Sequence, residues 1–264
     1  MARYRFTPLR LAATPWRGGG AAVVDYEPLG WRPPVEPGVF YHFWLPGLKS
    51  LPLAPVPAGD RLRFYVKARG PGTLRLVEEP PPRAGLLGPM GAAYRPRLAA
   101  GSLLVLVAGG TGLAALAPLA FSAVEAGVEV VVYHGVSSVV EAPPSRLLLP
   151  GRAGYRLATL DGSGGAKGTV VDAVDWDEAR GAALLAAAGP EEMLCSIYRE
   201  ASRRGLLDRL VLALEATVKC GMGFCGRCRV PCTGSLLCRD GVFYPARSLS
   251  CWARQRCGRA SAGY

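Results

Sequence analysis

The chain reads as a β domain followed by an α/β domain and a small cysteine-bound segment, and three observations predict this. Short β-branched and aromatic runs separated by Pro and Gly fill the first hundred residues. Continuous apolar strands alternating with helices follow them. Finally, Cys220, Cys225 and Cys228 are spaced C-x4-C-x2-C with Cys238 behind them. The expected architecture is an N-terminal antiparallel β-barrel over 1–97, a doubly wound α/β nucleotide-binding domain over 98–212, and a C-terminal iron–sulfur domain over 213–264.

In the first segment, Ala21–Tyr26, Val39–Leu45 and Leu62–Ala68 carry the strand signal. Many short strands with such punctuation suit a small barrel. Gly70, Gly72 and Thr73, in ARGPGT, form a turn rich in free backbone groups, the kind that holds phosphate; an ordinary loop would read the same way. Leu87–Tyr94, LGPMGAAY, reads as a linker of small residues.

Leu103–Val107 is then an apolar strand of the type buried on both faces. It runs into Ala108-Gly109-Gly110-Thr111-Gly112 and a helix from Leu113 to Glu125, stopped by Gly127. A glycine turn between strand and helix is where α/β folds take phosphate, because free N–H groups and the helix dipole converge there. The spacing is not G-x-G-x-x-G. Further strands are expected at Val128–Tyr133, Tyr155–Ala158 and Ala182–Ala188. The last opens a helix with Pro190 at its first position, Glu191 and Glu192 in its first turn and Gly205 as its stop. Arg209–Thr217 leads into the cysteines.

The C-x4-C-x2-C spacing with a later fourth cysteine is that of a plant-type [2Fe–2S] centre. Gly221, Gly223 and Gly226 lie between the ligands, where a missing Cβ lets backbone N–H groups face sulfur. A structural zinc site would pair C-x2-C with a second C-x2-C or with histidines, but only one such pair exists, and His42 and His134 lie far upstream. A disulfide framework suits small secreted chains, whereas no cysteine precedes Cys195 and no leader is expected. Nor does Cys225 follow a strand as a thioredoxin-type motif would. Cys232 is a fifth thiol, open between exchanged ligand, bystander and half of a disulfide. Pairing at Cys251 and Cys257 would staple the tail, and Cys195 is expected to be a small buried residue. Both histidines are expected to be packing residues.

The formal charge is +11, concentrated late: Cys195–Tyr264 holds twelve Lys or Arg against four Asp or Glu. This offsets a tetrathiolate centre or offers a docking face to an acidic partner. No nucleic-acid motif accompanies it. Residues 99–124 carry no charge, yet five Gly or Pro interruptions favour strand, loop and helix over a membrane span. A cytoplasmic protein is expected. No paired carboxylates or Ser/His/Asp set suggests hydrolysis.

In this order, the segments resemble the electron transfer subunits of dihydroorotate dehydrogenase, a family of ferredoxin–NADP reductase-like flavoproteins. Gly88-Pro89-Met90-Gly91 is similar to its GPxG segment, and Ala108–Ala115 to its G-G-G-x-G-x-A-P loop. Asp161-Gly162-Ser163 with Lys167-Gly168 resembles DDGS…KG, Ala187–Leu194 resembles CGPxxML, and Cys238–Phe243 resembles C-x-DGPVF. The resemblance implies an oxidoreductase subunit with FAD on the barrel and a [2Fe–2S] relay to a separate catalytic dehydrogenase subunit. It leaves NAD(P) open as a further ligand. Pro52, Leu53 and Ala54 would line the flavin ring, Gly72 and Thr73 would meet the FAD pyrophosphate, and Gly109, Gly110, Thr111 and Gly112 would form the nucleotide loop. Cys220, Cys225, Cys228 and Cys238 would be the cluster ligands. The chain departs from the family at Ala108, Ala115, Ala188, Leu51 and Ala54. Beside this reading stand a reductase subunit for a hydrogenase, sulfur-reducing enzyme or ferredoxin, and, from another class, a zinc-binding interaction module.

Overall fold

The computed structural model describes residues 4–258, so the outermost residues of the first and third expected segments, 1–3 and 259–264, lie outside the described residues. The N-terminal segment is a curled antiparallel sheet of β1 (Arg5–Gly18), β2 (Ala21–Pro28), β3 (Phe40–Trp44), β4 (Leu51–Leu53), β5 (Val56–Ala58), β6 (Arg61–Lys67) and β7 (Arg83–Met90), with helix α1 (Pro71–Glu78) before β7. Its strand order is β4-β3-β7-β1-β2-β6-β5. Register shifts in β1 between Leu11 and Ala13 and between Ala13 and Trp16 let this 14-residue strand bend with the sheet. The concave face closes over Leu9, Val24, Tyr26, Phe43, Phe64 and Leu86, and Leu76 of α1 joins this core. Tyr26 meets Phe43 edge-on, and Phe43 meets Phe64 in the same way.

Two expectations are corrected here. Leu87–Tyr94 is not wholly a linker, because its first residues belong to β7, which pairs with both β1 and β3. Its glycines are packing devices: a Cβ at Gly88 would fall 2.6 Å from the Tyr41 ring, and one at Gly91 would fall 2.6 Å from the Gly38 carbonyl oxygen. The Gly70–Thr73 turn is the start of α1, with Gly70 as its N-cap and Thr73 Oγ1 accepting from the Gly70 N–H.

The second sheet contains β8 (Leu103–Gly109), β9 (Glu129–Val136), β10 (Gly154–Thr159), β11 (Ala166–Lys167), β12 (Leu184–Ala188) and β13 (Leu210–Ala213). Helices α2 (Gly112–Glu125), α3 (Val170–Ala173), α4 (Trp176–Gly181) and α5 (Glu191–Arg203) connect them. The order β11-β10-β9-β8-β12-β13-β14 is parallel up to β13, with β14 (Phe243–Pro245) added antiparallel at the edge. Leu104, Leu106 and Ala108 of β8 face one core with α2, while Val105 and Val107 face another with α5, so strand residues of both parities are apolar. Pro190 is the N-cap of α5 rather than its first residue. The chain leaves β8 toward β9 and returns on its other side as β12, so the topological switch lies between these two strands.

The sheets meet through apolar packing, with Val23, Val56 and Tyr65 joining the core of α2, and through specific polar contacts. Arg63 holds Asp25 through two 2.7 Å bonds and donates a third to the Leu147 carbonyl. Tyr65 donates to the Glu141 carbonyl, and Lys67 pairs with the Glu141 carboxylate at 2.7 Å. The cysteine segment, with short helix α6 (Leu237–Asp240), lies against both sheets: Gly91 N–H donates to the Cys238 carbonyl, and Leu214 N–H to the Val242 carbonyl. Helix α7 (Ser250–Arg256) is fixed by Cys195–Cys257 and Cys232–Cys251 disulfides. Cys195 is therefore buried but not a free thiol, Cys232 is half of a disulfide, and Cys251 and Cys257 pair with other elements instead of each other. No helix among the described residues is long and apolar enough to cross a membrane.

Candidate functional site

Two sites adjoin: a crevice between the sheets and the cysteine loop. The crevice has an apolar part of about 250 Å³, walled by Pro52, Leu53 and Ala54 from one sheet and by Thr111, Gly112, Ala115 and Ala188 from the other. A neighbouring arm of about 200 Å³ adds Lys67, Arg69, Thr73, Gly109, Gly189 and Pro190. Thr111, Gly112, Leu53, Tyr65 and Glu215 line both parts. The expected flavin-ring and nucleotide-loop residues are thus brought to one place. Gly72 and Gly110 do not line it. Gly72 sits on the Leu51 side chain, and Gly110 turns at φ 51° while its N–H is taken by the Gly135 carbonyl.

Local packing explains the glycines. A Cβ at Gly112 would collide with the Ala188 carbonyl oxygen, so only glycine lets α2 begin against the end of β12. A Cβ at Gly109 would lie 2.6 Å from Met193 Sδ. The donor set suits a dinucleotide: apolar walls for a ring system, and Lys67, Arg69 and the start of α2 at the other end for phosphate. Lys67, Arg69, Tyr65 and Glu215 escaped the sequence reading, since each is an ordinary strand or loop residue there. Glu215 is open to solvent on the crevice side yet closely surrounded elsewhere; this burial pushes its carboxyl up, and the Arg69 charge opposes the shift.

Within β9, His134 is fully buried and engaged on both sides, with Nδ1 at 2.8 Å from Tyr155 Oη and Nε2 at 3.0 Å from the Gly110 carbonyl. Burial pushes its pKa down to about 4. It is a packing residue, as expected.

The four cysteines with ligand spacing are the free ones, while the other four are paired. Cys228 and Cys238 are buried with their sulfurs 3.3 Å apart, and Cys220 and Cys225 lie progressively closer to solvent. Backbone N–H groups already face sulfur: Met222 and Cys225 toward Cys220 Sγ, each at 3.4 Å, and Gly223 toward Cys238 Sγ at 3.2 Å. Gly221, Gly223 and Gly226 turn the loop with φ of 71°, 75° and 70°. The Cys225 and Met222 N–H groups hold the Cys220 thiol down to about 6, while burial, aided by Cys228, pushes Cys238 up to about 11. Unpaired thiols, inward N–H donors and glycine turns fit an iron–sulfur centre.

Flavin-side and cysteine-side residues share a wall. Val218, two residues before Cys220, and Leu237, next to Cys238, line the crevice together with Pro52–Ala54. At the outer tip of the loop, Phe224 is 92% exposed and Met222 60% exposed.

Residues 215–249 match the family model of the iron–sulfur cluster binding domain of dihydroorotate dehydrogenase B. A probable dihydroorotate dehydrogenase B (NAD(+)), electron transfer subunit of Thermoplasma acidophilum is 30% identical over 220 residues, spanning 83% of this chain and 82% of that protein. The protein of the same description from Archaeoglobus fulgidus is 30% identical, spanning 81% and 87%. Among solved structures, an NADH-dependent reduced ferredoxin-NADP oxidoreductase superposes with a TM-score of 0.75 at 23% identity, covering 96% of this chain and 94% of that one. The ferredoxin reductase of carbazole 1,9a-dioxygenase reaches 0.66 at 20% identity, covering 79% and 69%. At such identities the structural likeness speaks for the fold.

Proposed function

The chain belongs to the family of dihydroorotate dehydrogenase B electron transfer subunits, and from that premise we propose that it binds FAD in the inter-sheet crevice and a [2Fe–2S] centre at Cys220, Cys225, Cys228 and Cys238. The observation that carries this reading is the shared wall: Val218 and Leu237, two residues from Cys220 and one from Cys238 in the chain, both line the crevice. When bound, such groups interconvert the paired electrons of a flavin with the single electrons of an iron–sulfur centre.

The chain's own residues supply position and polarity. Pro52, Leu53 and Ala54 exclude water from one side of the crevice, and Ala115 and Ala188 from the other. Lys67, Arg69 and the start of α2 favour anionic phosphate in the arm. Inward N–H groups of Met222, Gly223 and Cys225 stabilise thiolate charge. For the NAD(+) step, the supporting feature is the switch point between β8 and β12, where Gly109, Thr111, Gly189 and Pro190 border the arm.

The electron partner is the catalytic dehydrogenase subunit, and the loop tip is its contact. Phe224 and Met222 offer an apolar knob beside the exposed Cys225, with Lys219, Arg227 and Arg229 around it in the loop.

The test is an anaerobic visible spectrum with iron and flavin quantified on chain co-purified with its catalytic subunit. Flavin and about two irons per chain are expected, with bleaching on addition of NADH. Zinc without flavin overturns the assignment, and bleaching by dihydroorotate but not NADH removes the nicotinamide step.

A further inference from the structure

His42 is deeply buried, at 5% exposure, and neither of its ring nitrogens has a hydrogen-bond partner. His134, the other histidine of the chain, has both nitrogens engaged. A buried polar group left unpaired costs about 1–3 kcal/mol, and among the described residues Thr7 and Tyr244 each leave one such hydroxyl while His42 leaves both ring nitrogens, so the imidazole points to a missing acceptor.

The surroundings of the ring locate that acceptor. His42 lies on β3 opposite Pro52 of β4, the strand that walls the crevice, and opposite Leu87 of β7. Tyr41 and Phe43 on either side point into the core of the first sheet, which turns His42 to the opposite face. On that face lies the cysteine loop: a Cβ on Gly221 would fall 3.0 Å from His42 Cδ2, the carbon bonded to Nε2. The Lys219 carbonyl, on the far side of Cys220, is near enough to favour a protonated ring, but no hydrogen bond of proper geometry joins them. The residues before and after Cys220 thus both border the ring. Desolvation lowers the His42 pKa, which keeps the ring neutral with one N–H to give.

We propose that His42 donates its ring N–H to sulfur on the Cys220 side of the iron–sulfur centre and so sets how readily that centre is reduced. The inference rests on the cluster reading above. Reduction adds negative charge to the sulfurs, and a donor held at fixed distance by a sheet stabilises the reduced state more than the oxidised one. His42 is a positioning residue here: it neither ligates iron nor carries electrons. Its place between the crevice strand and the loop means that the same side chain senses both walls.

The experiment is pulsed EPR on the full chain carrying ¹⁵N-labelled histidine, reduced anaerobically. A ¹⁵N coupling to the reduced cluster is expected, and it should vanish in His42→Leu. The same variant should show a reduced-to-oxidised ratio about tenfold lower at a fixed potential, about 59 mV for one electron, while His42→Asn, which restores a donor, should return most of the shift. A normal cluster signal with no histidine coupling overturns the proposal, as does an unchanged midpoint in His42→Leu. Should both variants fail to hold iron, the coupling in the unsubstituted chain decides alone. A chain with no iron–sulfur signal overturns the cluster reading as well, and the same spectrum distinguishes that outcome.

Discussion

Tyr4 donates its hydroxyl to the Gly221 carbonyl oxygen at 2.9 Å, tying the start of the first sheet to the cysteine loop 217 residues later. With His42 and Met90 beneath the same turn, the loop is seated on the N-terminal sheet. Tyr4→Phe removes that bond at a cost of about 1 kcal/mol. Iron release to a chelator should become about five times faster, with the global melting temperature nearly unchanged. Equal release rates would show that the hydroxyl does not hold the loop.

Gly221→Ala should impair cluster loading far more than Gly226→Ala. Both sites have positive φ, which costs a substituted residue about 1 kcal/mol. At Gly221, however, the new methyl would overlap Met90 Cε, whereas nothing lies within 4 Å at Gly226. Iron content per purified chain measures the difference, and equal loading would contradict the seat.

Phe224→Ser should leave folding and the visible spectrum intact, because exposed side chains away from special features change stability by about 0.5 kcal/mol or less. Its effect should fall on association: about 2 kcal/mol, or roughly thirtyfold, in affinity for the catalytic subunit. Calorimetric titration with that subunit reads this, and unchanged affinity would move the contact elsewhere.

Cys232→Ser should keep the cluster spectrum while lowering stability by about 3 kcal/mol, the scale for opening a loop near this length, because Cys232 is bonded to Cys251 across 19 residues. Loss of the spectrum would place Cys232 among the ligands.

Stability should fall as pH drops from about 6.5 toward 4. The sign follows from His134, whose folded pKa of about 4 lies below the unfolded value of 6.5. In that window the unfolded chain binds the proton and the folded chain does not, so acid favours unfolding, by up to about 3 kcal/mol. Denaturant midpoints across this range should slope less in His134→Asn. An identical slope would assign the acid sensitivity to other groups.

Local signals in the sequence were the readable ones. Leu103–Val107 and Leu184–Ala188 announce buried parallel strands, and the cysteine spacing marks its own loop. What depends on distant partners stayed hidden. Arg5–Gly18 contains Pro8, Pro15 and three arginines, which mask a strand that pairs on both sides. Leu87–Tyr94 reads as a small-residue linker because Gly88 makes room for Tyr41 and Gly91 for the Gly38 backbone. The crevice was half legible: its glycines show in the sequence, but Arg69 and Glu215 acquire their place only through folding. No spacing rule links Cys195 to Cys257, since α5 and α7 meet only in three dimensions.

Cys232 lies between the third and fourth thiols of the ligand run, and its sulfur is committed to a helix that begins beyond the matched 215–249 segment. Left free, it would compete with its neighbours whenever iron is delivered. The C-terminal helix therefore acts as a proofreader of coordination: it withdraws the wrong sulfur, so that an incoming inorganic unit meets one choice of four thiols. The same arrangement asks for two opposite chemical conditions within one short stretch, oxidation for the tail and reduction for the loop, which makes the order of maturation part of what the amino-acid sequence encodes.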